Sequence, residues 1–495
     1  MRIASVLALG LFLNGWVFQG PDLLFSAPSE PIDVGNQKQF FVDAYIVRST
    51  YHAFRILNQP VKHPLNPVIE LKPTQRVGGK DLVIVSGSVL FDQQEGLFKM
   101  WYEGADYRWT NNAVCYATSK DGVHWDLPHL GLFEYQGSTQ NNIVFRSDRR
   151  ARDVSPGVFK DPVARDPGRR YKMIHKRGSK TTDGVRIAFS PDGVHWTDGP
   201  DQPVIAVSDS PNSVLWDTRL GKYVAHTRHN SRYDGVFTRE VLQSESEDFE
   251  QWTTHDVILK ADQEDPPGSR QFYNMEWMPY QEVYFGFVSV YHTLPGMETK
   301  ITRGLGWIDK VDVQLTFSRD GRTWRRAGDR QVFIPTGTGP EDFDRSMIYT
   351  MQHPIVVGDE IWFYYAGFSG RHWAVNRKEP QGGAVGLAKL RLDGFVSIDA
   401  GEGTLTTKQM KFSGKRLILN ADASLGSVTV EIQGPEGVPL AGFSRDDARS
   451  VVGDSVRHTV QWKGTSDLSH LKGKSISLKF YIDRSKLYSF VFSDQ

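Results

Sequence analysis

The chain predicts an all-β protein: a five-bladed β-propeller followed by a small antiparallel β-sandwich. Three observations predict it. The phrase SKDGVHW at 119–125 returns as SPDGVHW at 190–196, with looser copies SEDFEQW at 246–252 and SRDGRTW at 318–324. Each copy follows a strand-like segment dense in aromatics: FKMWYEG (98–104), RYKMIHKRG (170–178), KYVAHTRH (222–229) and EVYFGFVSVY (282–291). Finally, 13 Trp, 18 Tyr and 28 Phe beside 46 Gly and 25 Pro suit short strands joined by tight turns better than long helices.

Taken from the start, MRIASVLALGLFLNGWVF places one Arg before an apolar run, and Pro-rich polar sequence follows it. That order reads as a signal peptide ending near residue 29, with export to the periplasm or outside the cell. The alternative is an uncleaved anchor, since the run is nearly long enough to span a bilayer. No later run is apolar enough to cross, so no stable membrane association is expected after cleavage. Cys115 is the only cysteine, which excludes a disulfide framework and a multi-cysteine metal site. The 58 basic and 58 acidic residues balance, and no basic stripe marks the chain as a nucleic-acid binder.

The propeller is expected over 33–400. A repeat of this spacing calls for blades. Within the phrase, Asp accepts hydrogen bonds from its own turn, Gly supplies the positive φ, Ser caps the strand end and Trp packs between sheets. These residues are therefore structural. A fifth aromatic strand, EIWFYYAGF (360–368), leads to AVGLAKLRLDGFVS (384–397), where LDGF replaces the full phrase. Five four-stranded units arranged radially make the propeller. GEGTLTTKQ (401–409) marks the boundary, and RLILNADA, SVTVEIQG, RHTVQW, SISLKFYI and LYSFVF read as the strands of a sandwich over 401–495.

Chemistry in a propeller is assembled from blades far apart in sequence, at one end of the innermost strands. Glycosidic cleavage needs two carboxyl groups flanking one bond. The acids placed near the start of an innermost strand are Asp81 (with Glu70 earlier), Asp161, Asp209, Asp265 and Asp344. An Asp in that position is also commonly a turn former held by its own backbone. Arg228, His226, Tyr273, His353 and His372 are the basic and aromatic candidates to complete a sugar site. Arg can grip hydroxyls, sulfate or carboxylate, and aromatic faces stack on pyranose rings. The alternative for the aromatics is inter-blade packing. Scattered histidines without a ligand spacing predict no catalytic zinc and no other cofactor, with a structural calcium left open.

The Ser-x-Asp-(Gly)-x-x-Trp turns after aromatic strands resemble the five-bladed propellers of glycoside hydrolase family 32, with families 43 and 130 as relatives. FKDP followed by RYKM is similar to the family's Arg-Asp-Pro segment and its next strand, and the C-terminal strands resemble its second domain. The resemblance implies a secreted O-glycosyl hydrolase acting on a carbohydrate. It implies that Asp161 stabilises the transition state, that Asp209 stands near the proton donor's place, and that Asp81 or Glu70 stands near the nucleophile's. Glu70, Arg228, Asp265, Tyr273, Asp344 and His372 would line the substrate. The chain departs from the family in lacking its Trp-Met-Asn-Asp-Pro-Asn-Gly and Glu-Cys motifs, and it carries Lys160 where the family has Arg. Those departures keep open a non-catalytic glycan-binding propeller and a phosphate-dependent glycoside phosphorylase.

Overall fold

The computed structural model describes residues 30–70, 82–106, 112–135, 137–146, 154–177, 184–206, 209–233, 235–254, 256–293, 309–372 and 382–494. The expected leader (1–29) and Asp81 lie outside them. Five four-stranded antiparallel meanders follow one another. Blade one runs Leu82–Asp92, Leu97–Asp106, Ala113–Ser119 and Ile143–Phe145. Blade two runs Gly157–Lys160, Tyr171–Arg177 and Gly184–Ser190, edged by Thr197–Asp198 and Ile205–Ala206. Asp209–Asp217, Lys222–Tyr233, Val236–Ser246 and Asp256–Leu259 form blade three. Blade four comprises Gln271–Tyr280, Val283–His292 and Lys310–Ser318, edged by Arg325–Arg326 and Val332–Ile334. Met347–Thr350, Glu360–Phe368 and Ala384–Arg391 build blade five. Its outer edge is paired by Val61–Lys62 from near the start of the chain, which ties the last blade to the first.

The repeated phrase does what its chemistry dictates. In blade one, Gly122 N donates to Ser119 Oγ at 2.8 Å, and Val123 N and His124 N both donate to Asp121 Oδ1 at 2.8 Å. Ser190 and Asp192 repeat the pattern, as do Ser318 and Asp320. Gly193 needs its missing side chain: its φ is +83°, and a Cβ would stand 2.5 Å from Trp101 of the preceding blade. Blade three puts Phe249 in that slot at φ +71°, fully buried. There the preceding blade presents Ile174 rather than an indole, and the Phe249 ring shares a core with it.

The blades converge on Gln352 and His353. Gln352 N donates to Gly87 O at 3.0 Å and its carbonyl accepts from Val89 N at 2.6 Å, reaching blade one. Its Nε2 donates to Val158 O at 3.3 Å and Val214 O at 2.7 Å, reaching blades two and three. His353 meets the carbonyls of Trp277 and Val214, both at 3.0 Å, adding blade four. One dipeptide thus touches four other blades, a geometry available only on the ring axis.

The second module differs from the expected division at its start. Val47–Tyr51 and Phe54–Leu57 pair with Val396–Thr407, and Gln39–Phe40 pairs with Ser477–Ser493, so residues 32–57 join the C-terminal sheet instead of a blade. The physical reason is a shared apolar core: Val34, Phe41 and Ile46 pack with Leu405, Leu419, Phe480 and Phe490. The two modules are sealed together. Phe285 stacks on Phe395 at 3.8 Å, and Arg319 makes two hydrogen bonds to Asp43, at 3.0 and 2.8 Å.

Candidate functional site

The face at which the innermost strands begin is also the one where the second strands end and the third strands begin. Asp209 is the first residue of blade three, and the ladder sets it opposite Arg228. Arg228, only 3% exposed, pairs with Asp209 Oδ2 and donates to Tyr273 O at 3.4 Å. Its guanidinium lies 4.0 Å from the Tyr273 ring centroid, within cation–π range. Lys176 of blade two donates to Asp209 Oδ1 at 3.0 Å. Arg239, bonded to Gln271 Oε1, lies 5.0 Å from the same Tyr273 ring. Tyr273 Oη meets His372 Nε2 at 2.7 Å, and His372 N donates to the Asp309 carbonyl at 3.1 Å.

Blades two to five therefore bring Lys176, Asp209, Arg228, Tyr273 and His372 into one cluster. Asp209 is its open carboxylate, with a side chain 33% exposed. Burial, then Arg239 and Arg228, push His372 down to about 3, so its ring is neutral at physiological pH. Burial and the neighbouring Arg228 also pull Arg239 below the usual guanidinium range. Burial opposes the charge on Arg228, but Tyr273 and Asp209 outweigh it and raise its pKa. The cations Lys176, Arg228 and Arg239 outnumber Asp209 and Asp309, leaving a positive surplus suited to a hydroxyl-rich or anionic ligand.

A second carboxyl lies deeper, beside the hub, where the carbonyl of the adjacent Trp277 meets His353. Glu276 lies three residues beyond Tyr273 on the innermost strand of blade four, 3% exposed. Ser213, on the strand that begins with Asp209, donates to the carbonyl of the preceding Met275 at 3.2 Å, and burial pushes Glu276 up to about 8. One carboxylate is held by cations and one carboxyl keeps its proton, a division of labour used in acid–base sites.

Other expected site residues lie elsewhere. Asp161 follows the innermost strand of blade two instead of preceding it, because GVFK at 157–160 is that strand. Gln352 sets Val158 and Val214 at one height, with Asp161 beyond the first and Asp209 well before the second. At about 3.3 Å per residue the two carboxyls are on the order of 20 Å apart, on opposite faces. Asp161 is 5% exposed, ion-paired with Lys172 and bonded by Tyr223 Oη at 2.8 Å. Asp92 takes Tyr171 Oη at 2.8 Å in the same way one blade earlier, so Asp161 is an inter-blade staple.

Asp265 is buried between Arg326 at 3.2 Å and Arg330 at 2.8 Å, beside the outer strands of blade four. Asp344 is buried against Lys62 at 2.6 Å and Tyr365 Oη at 2.8 Å, where it anchors the closing strand. Glu70 is exposed, and no hydrogen bond or ion pair among the described residues joins it to the cluster. His226 stacks on Trp277 at 4.7 Å and is pushed down to about 3 by burial; His353, at the hub, is pushed down to about 4 for the same reason. Both are neutral packing groups.

Lys176, Arg239 and Glu276 were not legible as site residues. Each is a lone charged residue in a strand, without a local motif. Only the polar interruption NMEW in an apolar strand signalled Glu276.

No family model matches the chain, and no curated protein matches it. Among solved structures it is similar to a β-1,2-mannobiose phosphorylase from Listeria innocua, at 11% identity and a TM-score of 0.48, over 67% of this chain and 96% of that one. It is similar to a protein described with the family 130 mannoside phosphorylases and the hydrolases among them that target β-1,2 mannosidic linkages in Candida mannan. That likeness has 15% identity and a TM-score of 0.46, over 68% and 94% of the two chains. A glycosyl hydrolase from Bacteroides ovatus is similar at 13% identity and a TM-score of 0.45, over 68% and 94%. None of the three is named as family 32.

Proposed function

We propose that the protein is a glycan-active enzyme of glycoside-hydrolase type, with its site at the Asp209–Arg228–Tyr273–His372 cluster. The observation that carries this reading is the convergence itself: groups from four blades meet around one open carboxylate, with an aromatic ring among them. The Tyr273 face suits the apolar side of a pyranose, and the arginines suit its hydroxyls. Asp209, paired with Arg228 and Lys176, is the base or nucleophile; Glu276, protonated at neutral pH, is the candidate proton donor on the hub side of the cluster. The single Arg followed by an apolar run at the N-terminus supports export, which N-terminal sequencing of the periplasmic or secreted protein would check.

Release of reducing sugar from an oligosaccharide panel tests the reading. Asp209→Asn and Glu276→Gln should each lower turnover at least about a hundredfold, the usual scale for acid–base groups. Full activity in both variants would refute the assignment. The double engagement of Asp209 by Arg228 and Lys176 favours a second reading, a glycan-binding propeller without turnover. Retained binding with no sugar release, with or without inorganic phosphate, would establish it. Turnover only with phosphate would make the enzyme a phosphorylase.

A further inference from the structure

The FKDP segment takes no part in the cluster, and the loop it opens builds a cavity of its own. The link from first to second strand spans 93–96 in blade one and 218–221 in blade three, but 161–170 in blade two. The shorter links already reverse the chain, so the added length in blade two serves something other than the turn. That length is fixed in shape. Pro162 and Pro167 restrict its backbone, Asp166 Oδ1 accepts Gly168 N at 2.8 Å, and Asp161 N donates to Arg170 O at 2.9 Å across its base.

With the first link of blade one and the hub residue His353, this loop encloses a cavity of about 820 Å³, within the usual range for a ligand site. It opens on the face opposite the cluster, where the innermost strands end. Its walls suit a hydroxyl-rich ligand without net charge. Phe91 lines it, is 39% exposed and is braced by the Phe98 ring at 4.8 Å, which makes it an apolar surface for a pyranose. Formal charges cancel among the described lining residues: Asp92, Asp161 and Asp166 stand against Lys160, Arg165 and Arg170. Net charge therefore selects neither an anion nor a cation. Gln93, Arg165 and Arg170 are exposed, and their side chains make no hydrogen bond or ion pair among the described residues. An amide donates and accepts as a hydroxyl does, and a guanidinium donates to two neighbouring oxygens.

We propose that this cavity is a second carbohydrate site, a non-catalytic groove for a segment of an uncharged polysaccharide. Phe91 carries the apolar side of a sugar ring, and Gln93, Arg165 and Arg170 hold its hydroxyls. The closed hub separates the groove from Asp209 by on the order of 20 Å, so the two sites engage different parts of one polymer. The groove then tethers the chain that the cluster cuts. That tethering role rests on the enzyme reading above; binding in the groove does not.

The experiment is affinity electrophoresis of the full chain in native gels holding dextran, mannan, inulin or dextran sulfate. At least one of the three uncharged polymers should retard the wild type. Arg165→Gln/Arg170→Gln and, separately, Phe91→Ala should raise the dissociation constant at least about fivefold, the scale of a lost stacking or hydrogen-bond contact. The arginine pair decides the matter, because its side chains hold no partner and the melting temperature should stay at the wild-type value. Asp209→Asn should be retarded like the wild type. If sugar release fails while this pattern holds, the groove stands and the enzyme reading falls. Retardation lost in Asp209→Asn but kept in the arginine variant would place the glycan at the cluster alone and overturn the groove. Retardation by dextran sulfate only, or by none of the polymers, would overturn it as well.

Discussion

Glu276 enters the hub with Asn274 Nδ2 at 3.4 Å and Ser213 as polar neighbours, and burial pushes its pKa up to about 8 from an ordinary 4.5. The folded protein therefore holds this proton more tightly than the unfolded chain does. Its burial costs little below pH 4.5; the cost grows as pH rises towards 8 and is constant above. Glu276→Gln should accordingly gain melting temperature over the wild type at pH 8 and show little gain at pH 4, as scanning calorimetry would record. An unchanged difference across that range would place the titrating group elsewhere. Asp161 makes the opposite case. Its carboxylate pairs with Lys172, whose side chain is 7% exposed, so Asp161→Ala leaves a buried cation without its partner. The expected loss is about 3–5 kcal/mol in denaturant unfolding, while turnover per folded molecule stays near wild type because the residue lies on the opposite face.

At the scale of the element, the blade turn is the recurring unit. Each Ser-x-Asp phrase consumes its own polar groups within one turn, and in blades one to three the residue after the Asp closes against the blade before it. Gly193→Ala would drive a methyl into the Trp101 ring at φ +83° and should cost about 1–3 kcal/mol, seen as a lower melting temperature. Phe249→Gly restores the common residue yet empties the space shared with Phe159, Phe189 and Tyr223. It should destabilise by about 3–5 kcal/mol, the scale of removing a buried phenyl ring. A smaller loss at 249 than at 193 would show that backbone strain outweighs packing here.

For the molecule as a whole, the propeller and the second module share one apolar seam. Phe40, Tyr280, Phe285, Phe287, Phe363 and Phe395 belong to a single cluster that draws on the N-terminal strands and on blades four and five. Lys38 reaches Asp393 at 2.9 Å, and Asn420 donates to Leu392 O at 2.7 Å. Truncation after residue 400 would strip much of this cover from blades four and five. The truncated chain should aggregate or unfold, and the intact protein should melt in one calorimetric transition with ligand protection shared by both modules. Two separate transitions would contradict the shared seam.

The repeats, the turns and the five aromatic strands could be read from the chain because each is local: a turn closes its own hydrogen bonds within a few residues, and alternation along a strand follows from side-chain geometry. Arg228, Tyr273 and His372 were legible as strand-end groups, and Asp209 as an acid at a strand start. Which end of a strand faces the ligand was not, and FKDP shows why. The same residues read as a strand head or a strand exit until pairing sets the register, and that choice moves Asp161 to the opposite face. The pairing of residues 32–57 with the last strands, the raised pKa of Glu276, and the cavity that Gln93, Arg170 and His353 line together depend on contacts between distant segments. Only the closed ring brings those segments together, so the tertiary structure decided them.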